Sequence, residues 1–193
     1  MATENTRDKI LHAARDLFER EGPAAVSMRR VAEAVGITPM AIYRHFANRE
    51  ALLKQISDDA FVEVARVWAT RAQHPDLMHG LLHSMENYLD YALQHPHLFD
   101  YSFSVARDDA RRFPEDFRAR SSPTLNVIAD MLAEGIQRGL LRDRDPWDLA
   151  MTLWAQGHGL IALYRAGRFS YDEAQFRAFY LQSFGVIFDG IKR

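Results

Sequence analysis

Apolar residues recur three and four positions apart through most of this chain, the spacing that gathers them on one face of a helix. Between Arg7 and Arg20 the set is Ile10, Ala14, Leu17 and Phe18, and Gly22-Pro23 closes that amphipathic helix. The polar residues 1–6 ahead of it read as a frayed end. A second stripe, Met28, Val31, Ala32 and Val35, opens on Ser27, whose hydroxyl can accept a free amide of the first turn. Gly36 ends it by taking a left-handed conformation that other residues resist. Ile37 turns inward, Thr38 caps the next helix, and Pro39 takes its first position, where no backbone donor is needed. Ile42 and Phe46 face inward from this short third helix, leaving Pro39, Met40, Tyr43 and Arg44 outward. Asn48 caps a fourth helix with Glu50 in its first turn, and Leu52, Leu53, Ile56, Ala60, Val64 and Val67 carry its stripe to about Trp68.

Breaks at Gln73–Asp76 and at His95-Pro96 frame a helix capped by Asp76 and carrying Leu77, Leu81, Leu82, Met85, Leu89 and Leu93. A short aromatic segment follows, with Leu98, Phe99, Tyr101 and Phe103. The charged stretch Arg107 to Ser122 has little apolar periodicity and reads as a mobile connection with one turn of helix. Ser122-Pro123 starts a helix through Leu125, Ile128, Ala129, Leu132 and Ile136, ended by Gly139. Asp145-Pro146 starts another, through Leu149, Leu153, Gly157, Leu160 and Leu163, ended by Gly167. Ser170 and Glu173 read as the capping box of the last helix, which runs through Phe176, Phe179, Tyr180, Phe184, Ile187 and Phe188. No segment has strand period and no repeat is present, so the expected fold is all-α with about nine helices.

The last two helices are apolar on more than one face. Trp147, Leu153, Trp154, Leu160, Ile161, Tyr164, Phe176, Phe179, Tyr180, Leu181, Phe184 and Phe188 cannot all point into one small core. A second buried surface is the reading preferred over a thick monomer core.

Composition narrows the chemistry. The chain has 193 residues, 48% of them hydrophobic, enough for two small domains or one extended one. Cysteine is absent, which excludes disulfides, thiolate metal sites and thiol nucleophiles. No apolar run is long enough to span a bilayer and MATENTRDK lacks a signal-peptide core, so a cytoplasmic protein is expected. Net charge is −2, but between Ser27 and Lys54 five basic residues (Arg29, Arg30, Arg44, Arg49, Lys54) against two acidic ones (Glu33, Glu50) give +3, so the rest carries −5. A basic face on an acidic body orients a protein on a polyanion.

Two helices joined by a glycine-containing turn form a helix-turn-helix, whose second helix enters the major groove. Here the string resembles the DNA-binding domain of TetR-family transcriptional regulators: Ala32, Gly36, Ile37, Tyr43, His45 and Phe46, then Asn48, Arg49, Glu50 and Leu52 at the next helix start. The resemblance implies residues 1–50 as a three-helix DNA-binding domain and residues 51–193 as a helical ligand-binding and dimerisation domain. It implies a homodimer through the last two helices, with Gly157 and Gly159 allowing close approach. Trp154-Ala155-Gln156-Gly157-His158-Gly159 also resembles a tryptophan–histidine–glycine signature of some members. A symmetric dimer presents two reading helices one DNA turn apart, to a pseudo-palindromic operator.

Carried over position by position, Tyr43 and His45 match phosphate-binding tips and Arg49 matches a basic phosphate clamp. Arg29 matches a position reaching a base or phosphate. Thr38 can bond phosphate, Pro39 and Met40 offer only apolar contacts such as to thymine methyls, and Arg44 either adds charge or is simply solvated. If Arg49 is a clamp, Arg49→Ala weakens binding to every sequence and flattens its salt dependence by about one charge.

The resemblance further implies a ligand-responsive regulator, in the commoner mode a repressor released by a small effector. Met85, Tyr88, Phe99, Phe103, Phe117, Met131, Trp154 and His158 are the candidate lining, suited to a mostly apolar ligand. No cofactor is expected. His79 and His83 stand one helical turn apart near Asp76 without a compelling third ligand, so a surface pair is preferred to a metal site. No Gly-rich phosphate loop or recognisable nucleophile setting supports an enzyme. The remaining alternative is a helical protein–protein adaptor without DNA binding.

Overall fold

Each stripe legible in the sequence lies on a helix in the computed structural model, which describes residues 5–71, 76–103 and 110–193. The elements are α1 (Thr6–Glu21), a 3-10 turn (Pro23–Ala25), α2 (Met28–Val35), α3 (Pro39–Ile42), α4 (Arg49–Arg71), α5 (Leu77–Gln94), α6 (Pro96–Phe103), α7 (Glu115–Arg118), α8 (Pro123–Gln137), α9 (Pro146–Arg165) and α10 (Glu173–Ile191). Among the described residues there is no strand, only an isolated antiparallel bridge between Leu141 and Lys192. Among the described residues ten α-helices stand against about nine expected, with the aromatic segment and the single turn at Glu115 each forming one.

The chain divides into two compact units, Met1–Phe61 with Gln94–Arg107, and Val62–Leu93 with Asp108–Arg193. The division falls inside α4, and α6 groups with the first unit.

In the first unit, Asn5 caps α1 by accepting from Asp8 N at 3.0 Å, so Thr6 is already helical; the polar residues 1–4 lie outside the described residues. Ile10, Ala14, Leu17 and Phe18 are buried, as their spacing requires. They meet Val31 and Ala32 of α2, Ile42, Phe46, and Leu52, Leu53 and Ile56 of α4 in one core. The α6 residues attach to it through specific contacts. The Tyr101 ring stands edge-on to Phe18 at 5.4 Å, Ser102 Oγ lies 3.0 Å from Ser57 Oγ, and Phe103 stands edge-on to Phe61 at 5.5 Å.

In the second unit, α5 and α8–α10 bury one stripe each: Leu81, Met85, Tyr88 and Leu89; Leu125, Ile128, Ala129 and Leu132; Ala150, Leu153, Gly157 and Ile161; Phe176, Tyr180, Phe184 and Phe188. Asp76, Ser122 and Asp145 cap as expected, each accepting from amides of the following turn. The break at Gln73–Pro75 and residues 107–109 of the charged connection lie outside the described residues.

Two local expectations are corrected. The capping box of α10 is Asp172 with Gln175, not Ser170 with Glu173. Glu173 is the first helical residue, so Ser170 lies beyond reach of the free amides, while the Asp172 carboxylate accepts from Gln175 N at 2.8 Å. On α4, Val67 is 46% exposed and Trp68 is buried in its stead. Neighbouring side chains point about 100° apart on a helix, and here it is Trp68 that turns inward, edge-on to Tyr88.

Candidate functional site

The short helix α3 is set by the turn before it. Gly36 adopts φ 74°, ψ 33°, and this left-handed step lets Ile37 N reach Ala32 O at 3.0 Å while Gly36 N reaches Glu33 O at 3.2 Å, closing α2. A Cβ at Gly36 would meet no atom within 4 Å, so only the backbone conformation demands glycine. Gly36→Ala is expected to destabilise the first unit by about 1–2 kcal/mol in thermal unfolding, with a smaller loss for Gly36→Asn, because asparagine tolerates this region.

Pro39 opens α3; the Thr38 side chain makes no capping bond, and its carbonyl accepts from Ala41 N at 2.9 Å. The helix then tightens, with His45 N at 2.8 Å and Phe46 N at 3.0 Å from the same Ile42 carbonyl. Ile42 and Phe46 are sunk in the core, and the Arg7 guanidinium lies over the Phe46 ring at 5.0 Å. Burial of those two side chains turns the rest of the segment outward. Thr38, Pro39, Met40, Tyr43, Arg44 and His45 are all exposed, Met40 by 72% and Tyr43 by 50%. They form a short, protruding surface with apolar and polar tips.

Charge around this surface is distributed less evenly than a count suggests. Arg30 of α2 forms a two-pronged pair with Glu21, at 3.0 and 2.9 Å, and its Nη1 also donates to Ala25 O at 3.3 Å. The pair holds the Glu21 carboxyl below its usual range. Lys54 pairs with Asp58. Arg49 is half-buried: its Nε donates to Val26 O at 2.7 Å, its Nη2 to Pro23 O, and its Nη1 lies 3.6 Å from Glu50. Arg29 and Arg44 are exposed and make no ion pair among the described residues. The pairing of Arg30 with Glu21 escapes sequence reasoning, because nothing in a periodicity links residues nine apart across a connection.

The eight residues read as a ligand lining separate. Phe99 and Phe103 belong to the first unit, where their rings lie 5.0 Å apart. Met85, Tyr88, Phe117, Met131, Trp154 and His158 belong to the second unit. There Trp154 Nε1 donates to Tyr88 Oη at 3.0 Å, and Tyr88 Oη lies within hydrogen-bond distance of His158 Nδ1, at 3.1 Å. Phe117 of α7 lies 6.1 Å from the Trp154 ring. Trp68, which sequence reasoning placed only at a helix end, is buried edge-on to Tyr88 at 6.3 Å, and its Nε1 has no hydrogen-bond partner among the described residues. Arg118 at the end of α7 pairs with Asp145 at 2.9 Å and Asp148 at 3.2 Å. That pairing ties Phe117 to the start of α9.

Burial pushes the Tyr88 phenol far above its ordinary range and lowers the His158 imidazole from 6.5. The cluster is thus neutral near pH 7. Because His158 titrates lower in the folded chain, its contribution is complete above about pH 6.5, the unfolded value. It is lost as pH falls towards the folded value, since the unfolded chain takes the proton first. The melting midpoint of the second unit is expected to drop between pH 7.5 and 5.5, and to drop less in His158→Gln.

His79 and His83 have rings 4.9 Å apart, and His83 Nδ1 lies 3.9 Å from Glu86. No group of three metal-ligating side chains gathers among the described residues, and no described helix is long and apolar enough to cross a membrane.

Known proteins match both parts of the chain. Residues 10–56 match the family of bacterial regulatory proteins, tetR family, and residues 81–183 match the tetracyclin repressor-like C-terminal domain. The HTH-type transcriptional repressor AcnR of Corynebacterium diphtheriae is 30% identical over 151 residues, covering 76% of this chain and 73% of that protein. The HTH-type transcriptional regulator UidR of Escherichia coli is 39% identical over 51 residues, 26% of each chain. A solved TetR-family regulator from Pectobacterium atrosepticum shares the fold with TM-score 0.74 at 19% identity, covering 97% of this chain and 94% of that one. A Rhodococcus protein of unknown function superposes with TM-score 0.82 at 19% identity, covering 100% of this chain and 98% of that one. A glycine-locked helix-turn-helix with a bare outer surface, followed by a matching C-terminal domain, places the chain in the TetR family of DNA-binding transcriptional regulators.

Proposed function

We propose that this regulator acts as a homodimer in the cytoplasm, represses transcription from a pseudo-palindromic operator, and is released by a small, mostly apolar effector. One observation carries the reading: Thr38, Pro39, Met40, Tyr43, Arg44 and His45 are held outward by the burial of Ile42 and Phe46. Met40 and Pro39 suit thymine methyls; Thr38, Tyr43, His45, Arg44 and Arg29 suit phosphates and base edges. Repression is supported by the similarity to AcnR, named a repressor.

Dimerisation through α9 and α10 is supported by their outer faces, where Leu163, Phe179 and Val186 stay exposed by 48%, 36% and 76%. The effector site proposed is the second-unit part of the candidate lining, Met85, Tyr88, Phe117, Met131, Trp154 and His158, supported by the Tyr88–Trp154–His158 cluster. The effector must favour a conformation in which the two reading helices are misspaced for DNA. Helix α4, continuous from Arg49 to Arg71, is the covalent route for that change. Selection of bound duplexes from a random pool tests the proposal. Recovery of an inverted repeat with half-sites one helical turn apart supports it; failure to enrich any sequence favours a protein–protein adaptor instead.

A further inference from the structure

We infer that Arg49 is a positioning residue, which braces the α1–α2 connection against the start of α4 and so sets the pose of the reading helix, and that it is not a phosphate contact. The inference rests on the DNA-binding reading above. The connection is a single 3-10 turn, Pro23–Ala25, followed by Val26 and then Ser27, the N-cap of α2. So short a turn satisfies little of its own backbone: Pro23 O takes Val26 N at 3.2 Å, and further donors to its carbonyls must come from outside it. Arginines supply them from two sides. Arg49 on α4 takes Val26 O at 2.7 Å and Pro23 O, and Arg30 on α2 takes Ala25 O at 3.3 Å while gripping Glu21 of α1.

Helices α1, α2 and α4 are therefore tied at one point, directly before the cap of α2. The orientation of α2 fixes α3 through the Gly36 turn, so an error at the brace is carried to Met40 and Tyr43. The geometry also removes Arg49 from the DNA surface. Two edges of its planar fork face the protein, and the remaining nitrogen, Nη1, lies beside the Glu50 carboxylate. A guanidinium can span two carbonyls three residues apart with fixed geometry, whereas a lysine ammonium is a single point and cannot. A phosphate clamp has the opposite tolerance, since lysine keeps the charge.

The test compares full-length Arg49→Lys, Arg49→Gln and Arg49→Ala with the parent. The probes are a duplex selected from a random pool by the parent and a scrambled duplex of equal length. Binding is followed by fluorescence anisotropy from about 50 to 300 mM KCl, below each variant's melting midpoint. The brace predicts that all three variants, lysine included, bind the selected duplex about 10-fold or more weakly. The slope against salt stays as in the parent, and the scrambled duplex is bound within about twofold of the parent. In hydrogen exchange, the Ala25, Val26 and Arg30 amides of Arg49→Lys lose protection while those of α9 and α10 keep theirs. Three results overturn it: Arg49→Lys binding like the parent while Arg49→Ala loses about 0.9 in slope per contact, all variants binding like the parent, or unchanged exchange at those amides. The two readings fail separately. A parent that selects no duplex sinks the DNA-binding proposal, and the exchange experiment still decides the brace.

Discussion

Phe184→Ala is expected to destabilise the second unit by about 3–5 kcal/mol, the range for deleting a fully buried phenylalanine ring. Phe184 is 0% exposed and stands edge-on to Tyr180 at 5.1 Å, with Phe188 at 6.3 Å on its other side. Across from it α9 comes close enough that a Cβ on Gly157 would lie 3.2 Å from Phe184 Cζ and 2.7 Å from Tyr180 Oη. The Tyr180 hydroxyl cannot yield to fill the space, because it donates to the Met85 carbonyl of α5 at 3.0 Å. Removing the Phe184 ring therefore leaves a cavity whose walls are held by other contacts, the condition in which the cost is highest. Urea unfolding followed by tryptophan fluorescence reads the loss, and the melting midpoint should fall by about 10 °C. Gln137→Ala, exposed on α8, should shift stability by less than about 0.5 kcal/mol. Equal shifts for both variants would refute the packing argument.

The second large effect concerns DNA. Arg29→Ala combined with Arg44→Ala is expected to weaken binding by about three orders of magnitude at 0.15 M salt, for operator and scrambled duplex alike. The number follows from counterion release. Each phosphate neutralised contributes a slope of about 0.9, hence roughly 0.7 of a decade at that salt, and a dimer loses four such contacts. These two arginines are chosen because neither makes an ion pair among the described residues, whereas Arg30 and Lys54 have carboxylate partners and Arg49 is bonded to backbone. A salt titration of the double variant should show the slope reduced by about 3.6. A loss confined to the operator, with the slope unchanged, would mean that the pair reads bases and does not anchor the backbone.

Contrast between these arginines shows where sequence reading stopped. Five basic residues between Ser27 and Lys54 look alike in a charge count. Their partners separate them, and those partners come from other elements: Glu21 of α1 for Arg30, the carbonyls before α2 for Arg49. Ring contacts behave likewise. Tyr88, Trp154 and His158 were legible as candidates by residue type, but their hydrogen-bonded order required α5 and α9 side by side. Phe99 and Phe103 carry the same aromatic signal and fall in the other unit.

Local physics was legible because it acts within one turn of helix. Ser27, Asn48, Asp76, Ser122 and Asp145 cap amides two or three residues ahead of them, and Gly36 takes the left-handed step, from residue type and neighbours alone. The cap placed on Ser170 in place of Asp172 was wrong by two residues and not in kind, and Thr38 stands at the N-cap position of α3 without a side-chain bond. The helical class, the order of helices, the inward faces and the outward surface of α3 all follow from that short-range chemistry. Which arginine faces solvent, why α6 groups with the first unit, and how tightly α9 seats on Tyr180 and Phe184 were decided by contacts between residues far apart in the chain. Those contacts exist only after the helices have packed, and no spacing along the chain encodes them.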